Sequence, residues 1–329
     1  MDGITSNVSM TILDKLKDGA RSGAAKGWSG YVWLLKILIP ISLLTTLLET
    51  SGWLLKLDGL IAPAMHLFHL PSSAALPIVV GLLTGVYGAI ASMMMLPFSI
   101  DQMTLIAIFI LISHNLIQES MIQGQSGLSP VKAVLFRLTA SLITIVIVAW
   151  FLDAAPYGEI GVSVSSKPSL PLLTVITQWA VSMAYLSIKI FFITMSLMIV
   201  MGILKSFDWI PVLVKILSPL LRLMGLDERV GMLWLTAVVF GLSYGAAVIV
   251  EEAKEGNLDA RELERLHVSI GINHSMVEDP ILFAALGLPV FWLWIPRMVI
   301  AIIAVHLYDG WERISRLRKT EVSDQKSEI

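Results

Sequence analysis

The sequence contains no cysteine, which excludes disulfides, thiolate metal sites and cysteine nucleophiles and leaves no redox compartment to infer. It is also poor in charge: 15% of its 329 residues are Asp, Glu, Lys or Arg, against roughly 25% in a soluble domain. The formal net charge is -2 and the Lys and Arg residues are scattered, so no basic stripe is available to a nucleic-acid backbone, and a nucleic-acid partner is not expected. A cleavable signal is not expected either, because Asp14, Lys15, Lys17, Asp18, Arg21 and Lys26 precede any long apolar run. Residues 1–30 read instead as an amphipathic cytoplasmic lead-in.

What the chain has in excess is apolar surface. Hydrophobic residues make up 56% and the mean hydropathy is +0.80, so the bilayer is the expected solvent and the cytoplasmic membrane the expected location. A spanning helix needs about 20 predominantly apolar residues. Eight such runs stand out, at 31–51, 74–97, 102–122, 131–152, 184–204, 229–250, 264–288 and 291–308. In lipid, runs of this length satisfy their backbone groups only as helices, and a barrel would alternate over about ten residues instead. The expected fold class is therefore an all-α polytopic membrane protein. The turn-rich stretch 153–171 reads as a linker between membrane segments 31–152 and 172–310, and 311–329 as a charged tail.

The two segments repeat each other. Trp53 falls on Trp209 and Pro63 on Pro219 at an offset of 156, VYGA at 86–89 meets SYGA at 243–246 at 157, and ISHNLIQES at 112–120 meets INHSMVEDP at 272–280 at 160. Basic residues near both ends place both termini in the cytoplasm by the positive-inside rule. Four spans per half would, however, make the repeats parallel and put Lys205, Lys215, Arg222 and Arg229 outside, against the same rule. The sequence alone leaves parallel and inverted repeats open.

The chemistry-bearing residues lie at matching places in the halves. Each half has a glycine-rich point inside an apolar span, at Gly85–Gly88 and Gly241–Gly245, and recurrent interruption of this kind is the best sequence pointer to a transporter binding site. Tyr87 lies at the first break, and Ser243 and Tyr244 at the second. The following spans carry His114, Asn115, Gln118 and Glu119 in one half and Asn273, His274, Ser275, Glu278 and Asp279 in the other. A charge at mid-membrane costs about 2.5–3.5 kcal/mol on insertion scales, so such residues face a cavity or a partner. Spacing of four predicts His114 over Gln118 and His274 over Glu278 on one helical face. These twelve residues form the expected substrate site. No catalytic residue is expected, because no HExxH or nucleophile–base pattern occurs. His66, His69, His267 and His306 lack partners at ligand spacing, and no metal site is assigned.

The segment LLETSGWLLKLDGLIAPAMHLFHLPSS leading into GVYGAIAS, and the same order across 204–248, resemble the Gate, or nucleoside-recognition, family. That family includes spore maturation proteins A and B, concentrative nucleoside transporters and the membrane domain of ferrous-iron transporter B. The resemblance implies two Gate units, at about 33–152 and 184–308, with broken helices. In the iron transporter the corresponding regions carry cysteines thought to contact metal, whereas this chain has Val86, Tyr87 and Gly88, then His114 and Asn115. That difference argues against ferrous iron. The expected function is secondary transport of a small polar solute, nucleoside-like or an organic ion. Alternatives are a non-transporting scaffold like the spore proteins and a divalent metal-ion transporter. The expected partners are the bilayer and the solute or ion, and homo-oligomer formation, the cofactor and the coupling ion are left open.

Overall fold

The computed structural model describes residues 11–52, 62–125, 127–152, 171–207, 209–242, 245, 249–250, 252 and 258–327. Among the described residues there is no strand. In chain order the principal helices are α1 (Ile12–Thr50), α2 (Ala75–Thr84), α3 (Val86–Met93), α4 (Ile100–Ser113), α5 (Leu116–Gln125) and α6 (Pro130–Ala149). They continue with α7 (Leu172–Ser206), α8 (Ile210–Leu223), α9 (Gly231–Phe240), α10 (Ala260–Asn273), α11 (Glu278–Ala285) and α12 (Val290–Ser327). Five stretches among the described residues are long and apolar enough to cross a membrane: α1, Ile100–Gln125, α6, α7 and Val290–Ile314.

The helix starts are written locally. Ser99 and Gln102 exchange backbone and side-chain hydrogen bonds to open α4, and Asp259 and Glu262 do the same for α10, a capping box that satisfies two otherwise unpaired amides. Helix α1 runs unbroken through position 30, so the lead-in and the first span are one rod. At 1.5 Å per residue it is about 58 Å long, nearly twice the hydrocarbon thickness. The expected span 184–204 likewise lies within one long helix, α7.

Helices α1 and α7 pack antiparallel. A β-carbon on Gly19 would lie 2.8 Å from the Gly202 carbonyl oxygen, one on Gly23 would lie 2.2 Å from that of Met198, and one on Gly27 would lie 2.9 Å from Met195 Sδ. Farther along, Trp179 Nε1 donates to Ser42 Oγ at 3.1 Å. Small residues every fourth position let the two backbones touch, the usual basis of close helix association in lipid. Helix α6 also runs against α12: Phe151, just past the end of α6, stacks with Trp292 at the start of α12, 6.0 Å between centroids.

The runs 74–97 and 229–250 are interrupted at Gly85 and Gly241, at the glycine-rich points the sequence reading marks, but the chain does not continue straight on beyond them. Eight residues along a helix are about 12 Å apart. Here a β-carbon on Gly81 would lie 2.9 Å from Ala89 Cβ, and one on Gly88 would lie 2.9 Å from Val80 Cγ1. Helices α2 and α3 are therefore two arms of a hairpin turning at Gly85. Its φ of +91° is open to glycine and strained for other residues. The second half does the same: Gly241 has φ +84°, and a β-carbon on Gly245 would lie 2.8 Å from Ala237 Cα. Against the first hairpin lies α4, where Ile110 meets Gly81; its residues from Leu105 to Ile112 are all buried, as expected of a helix that is apolar all round.

Candidate functional site

The spans that follow the hairpins are themselves interrupted. Helix α4 ends at Ser113, His114 turns to extended backbone (φ -62°, ψ 159°), Asn115 takes φ +46°, and α5 begins at Leu116. Helix α10 ends at Asn273, His274 is extended in the same way (φ -66°, ψ 158°), Ser275 takes φ +50°, and α11 begins at Glu278. The hairpins lock onto these breaks. Asn115 N donates to Gly81 O and Ser275 N to Ala237 O, both at 3.1 Å.

Each break frees backbone carbonyls, which must find partners inside the bilayer. A buried arginine supplies them in each half. Arg137 donates from Nε to Ile112 O at 3.0 Å and from Nη2 to His114 O at 2.7 Å. Arg297 donates from Nε to Ile272 O at 3.2 Å and from Nη2 to His274 O at 2.8 Å. A fixed cation at a helix C-terminus also meets the negative end of the helix dipole. Both arginines escaped the sequence reading, although FRLTAS and PRMVIA set Arg137 and Arg297 at the same offset of 160 as the histidines.

These breaks bring the two histidine rings together, centroids 4.8 Å apart and planes tilted by 42°. His114 Nδ1 lies 2.9 Å from Ile110 O, and His274 Nδ1 lies 2.9 Å from Ile270 O. A carbonyl only accepts, so each Nδ1 carries the proton and each Nε2 of a neutral ring presents a lone pair. The two Nε2 atoms are 3.3 Å apart. Glu119 reaches both: Oε1 is 3.5 Å from His114 Nε2, and Oε2 is 3.0 Å from His274 Nε2 and 2.8 Å from Arg137 Nη2. Asp279, at the same offset of 160 from Glu119, sets Oδ2 3.4 Å from His114 Nε2. The imidazole of each half thus meets a carboxylate of the other.

The sequence reading of the pairs is corrected here. The breaks at 114–115 and 274–277 abolish the helical register that would place His114 over Gln118 and His274 over Glu278. Gln118 is exposed. Glu278 accepts from Tyr87 OH at 2.5 Å. Tyr87, His114, Asn115, Glu119, His274, Ser275, Glu278 and Asp279 line one cavity of about 190 Å³. Asn273 is buried outside it, its amide nitrogen 3.4 Å from Met298 Sδ. Ser243 and Tyr244 lie outside the described residues. No metal site was assigned from sequence, yet His114, Glu119 and His274 present ligand atoms that all lie within 4.8 Å of one another.

A larger groove of about 490 Å³ runs between α1 and α7, with Asp18, Ser22, Lys26 and Lys205 on its walls and Glu278 at its inner limit. Glu278 therefore borders both the groove and the smaller cavity.

Over 301 residues the chain is 28% identical to the uncharacterized membrane protein YvoD of Bacillus subtilis (strain 168), covering 88% of this chain and 95% of that protein. No family model matches the chain, and no solved structure matches it. The similarity and the apolar helices together make this a multi-pass membrane protein.

Proposed function

We propose that the protein is a secondary transporter of a small polar solute or ion, with its site where two inverted halves meet. One observation carries this reading: His114, Glu119, His274 and Asp279, drawn from both halves, converge on one cavity inside a bundle of apolar helices. Ionisable groups at membrane depth cost energy and mark ion or substrate routes. Broken helices meeting at the interface of repeats are the recurrent architecture of such sites. The Gate resemblance accords with two such units.

In this reading each half has three crossings and one re-entrant hairpin, with α4–α5 and α10–α11 as interrupted crossings. An odd number of crossings inverts the second half, which fits the antiparallel α1–α7 and α6–α12 pairs. It also resolves the charge conflict. Ser206 Oγ donates to Lys15 O, and His306 Nε2 lies 3.0 Å from Leu223 O. These contacts gather Lys15, Lys205, Lys215, Arg222 and Arg313 at one end. The described residues at the other end, 50–52, 62–74, 93–101, 149–152 and 285–292, contain no Lys or Arg. Both termini are then cytoplasmic, and the α1–α7 groove opens from that side toward Glu278.

The cavity favours an ion or a very small solute over a nucleoside. Drug-sized ligands occupy about 300–1,000 Å³, and the walls here are acidic. Uptake by the purified protein in liposomes, across metal ions, organic ions and nucleosides, tests the proposal. Saturable flux that falls in a folded Glu119→Gln variant supports it. Folded protein with no flux for any class leaves a scaffold role.

A further inference from the structure

We infer that His114, His274 and Glu119, with Asp279 as fourth ligand, bind one divalent first-row transition-metal ion. As cargo or coupling ion, the metal rests on the transport reading above. As a binding site, it does not.

The argument begins with the rings. Both Nδ1 protons are committed to the Ile110 and Ile270 carbonyls, so two Nε2 lone pairs point at each other across 3.3 Å. The Glu119 carboxylate closes on both of them. Four acceptors turned inward repel unless a cation lies among them. A metal ion among them satisfies the three whose ligand atoms lie within 4.8 Å of one another, with Asp279 beside it at 3.4 Å from His114.

The spacing fits. Bonds of about 2.0–2.1 Å to nitrogen and oxygen in a tetrahedral site imply ligand atoms about 3.3–3.4 Å apart. The observed separations are 3.3 Å between the Nε2 atoms, 3.5 Å and 3.0 Å from Glu119 to the two rings, and 3.4 Å from Asp279 to His114. The supporting contacts fit as well. Each ring is oriented by a carbonyl on its other nitrogen, and Arg137 ion-pairs with Glu119 Oε2 at 2.8 Å, outer support of the kind that ligating histidines and carboxylates regularly have. Asp279 Oδ2 is buried 3.4 Å from His114 Nε2 and makes no hydrogen bond, so a strong acceptor faces the site with its lone pairs unsatisfied. Two imidazoles and two carboxylates suit zinc-like ions, whereas calcium and magnesium call for six or more oxygen ligands or an octahedral shell.

The test uses the full-length protein in detergent, stripped with chelator and titrated with Co²⁺. The expected result is one Co²⁺ per chain with the intense visible absorption of tetrahedral cobalt, displaced by Zn²⁺. His274→Gln and Glu119→Gln should weaken Zn²⁺ binding about tenfold or more while keeping the wild-type elution profile and helical circular dichroism. If either misfolds, Asp279→Asn, which preserves volume, should still weaken binding and alter the cobalt spectrum. Absence of stoichiometric metal on folded wild-type protein, or binding unchanged in the folded variants, overturns the site. The two readings fail separately: solute flux by protein that binds no metal sinks the metal site and leaves transport, whereas tight Co²⁺ binding with no flux of any solute leaves the site and sinks transport.

Discussion

Gly85 and Asn115 are in contact at the tip of the first hairpin, where a β-carbon on the glycine would lie 2.8 Å from Asn115 Nδ2 and φ is +91°. Gly85→Ala should therefore lower stability by about 1–3 kcal/mol, read as a drop in thermal midpoint in detergent; an unchanged midpoint would contradict the tight turn. The arginine hooks set the other residue-scale expectation. Arg137→Met leaves Glu119 without its 2.8 Å partner and uncaps two buried carbonyls, and breaking such a buried pair costs about 3–5 kcal/mol. Arg297→Met should be similarly severe, because it frees the matching carbonyls in the other half. Recovery of either variant at wild-type yield and thermal midpoint would show that the hooks do not hold the breaks. The histidines and acids were legible in the sequence because ionisable residues inside apolar runs stand out. Their pairing was not. The contacts of Glu119 with His274 and of Asp279 with His114 cross from one half to the other, and no spacing within a half encodes them.

Helix α1 touches α7 through Gly19, Gly23 and Gly202, where β-carbons would come within 2.2–2.8 Å of the facing backbone. Gly23→Val must push the helices apart, and overpacking of this kind costs about 1–3 kcal/mol; because the groove toward Glu278 lies between these helices, it should also change access to the cavity. Solvent accessibility of a cysteine placed at Ser22 is the measurement, and labelling at the wild-type rate would contradict the close contact. The four-residue glycine spacing of 19, 23 and 27 was available in the sequence, but the charged residues among them made the segment read as a separate lead-in. The glycine breaks were legible because glycine marks where a helix can turn. That the arms fold back was not, since a spanning broken helix and a hairpin share the same apolar text. The breaks at His114 and His274 carry no Gly or Pro at all. They are held by hydrogen bonds from arginines 23 residues later in the chain, a long-range cause that local pattern cannot report.

At the scale of the whole molecule, apolar composition made the membrane environment plain, and the matched motifs made the two-half organisation plain as an expectation. In the proposed arrangement the orientation of the halves rests on the hairpins, because counting each as a crossing gives parity that conflicts with the charges. The inverted arrangement predicts that Lys17→Cys and Arg313→Cys are labelled by an impermeant maleimide in inside-out vesicles and that Ser51→Cys is labelled only from the outside. The chain has no native cysteine to confuse the assay. Labelling of Lys17→Cys and Ser51→Cys from one side would contradict it. The central claim is that both halves contribute to one transport site, and it is tested most directly by flux into proteoliposomes carrying wild-type protein, Glu119→Gln or Asp279→Asn. The account predicts saturable uptake by the wild type and a loss of about tenfold or more in each variant, with folded protein retained. Equal flux in all three proteins would contradict it.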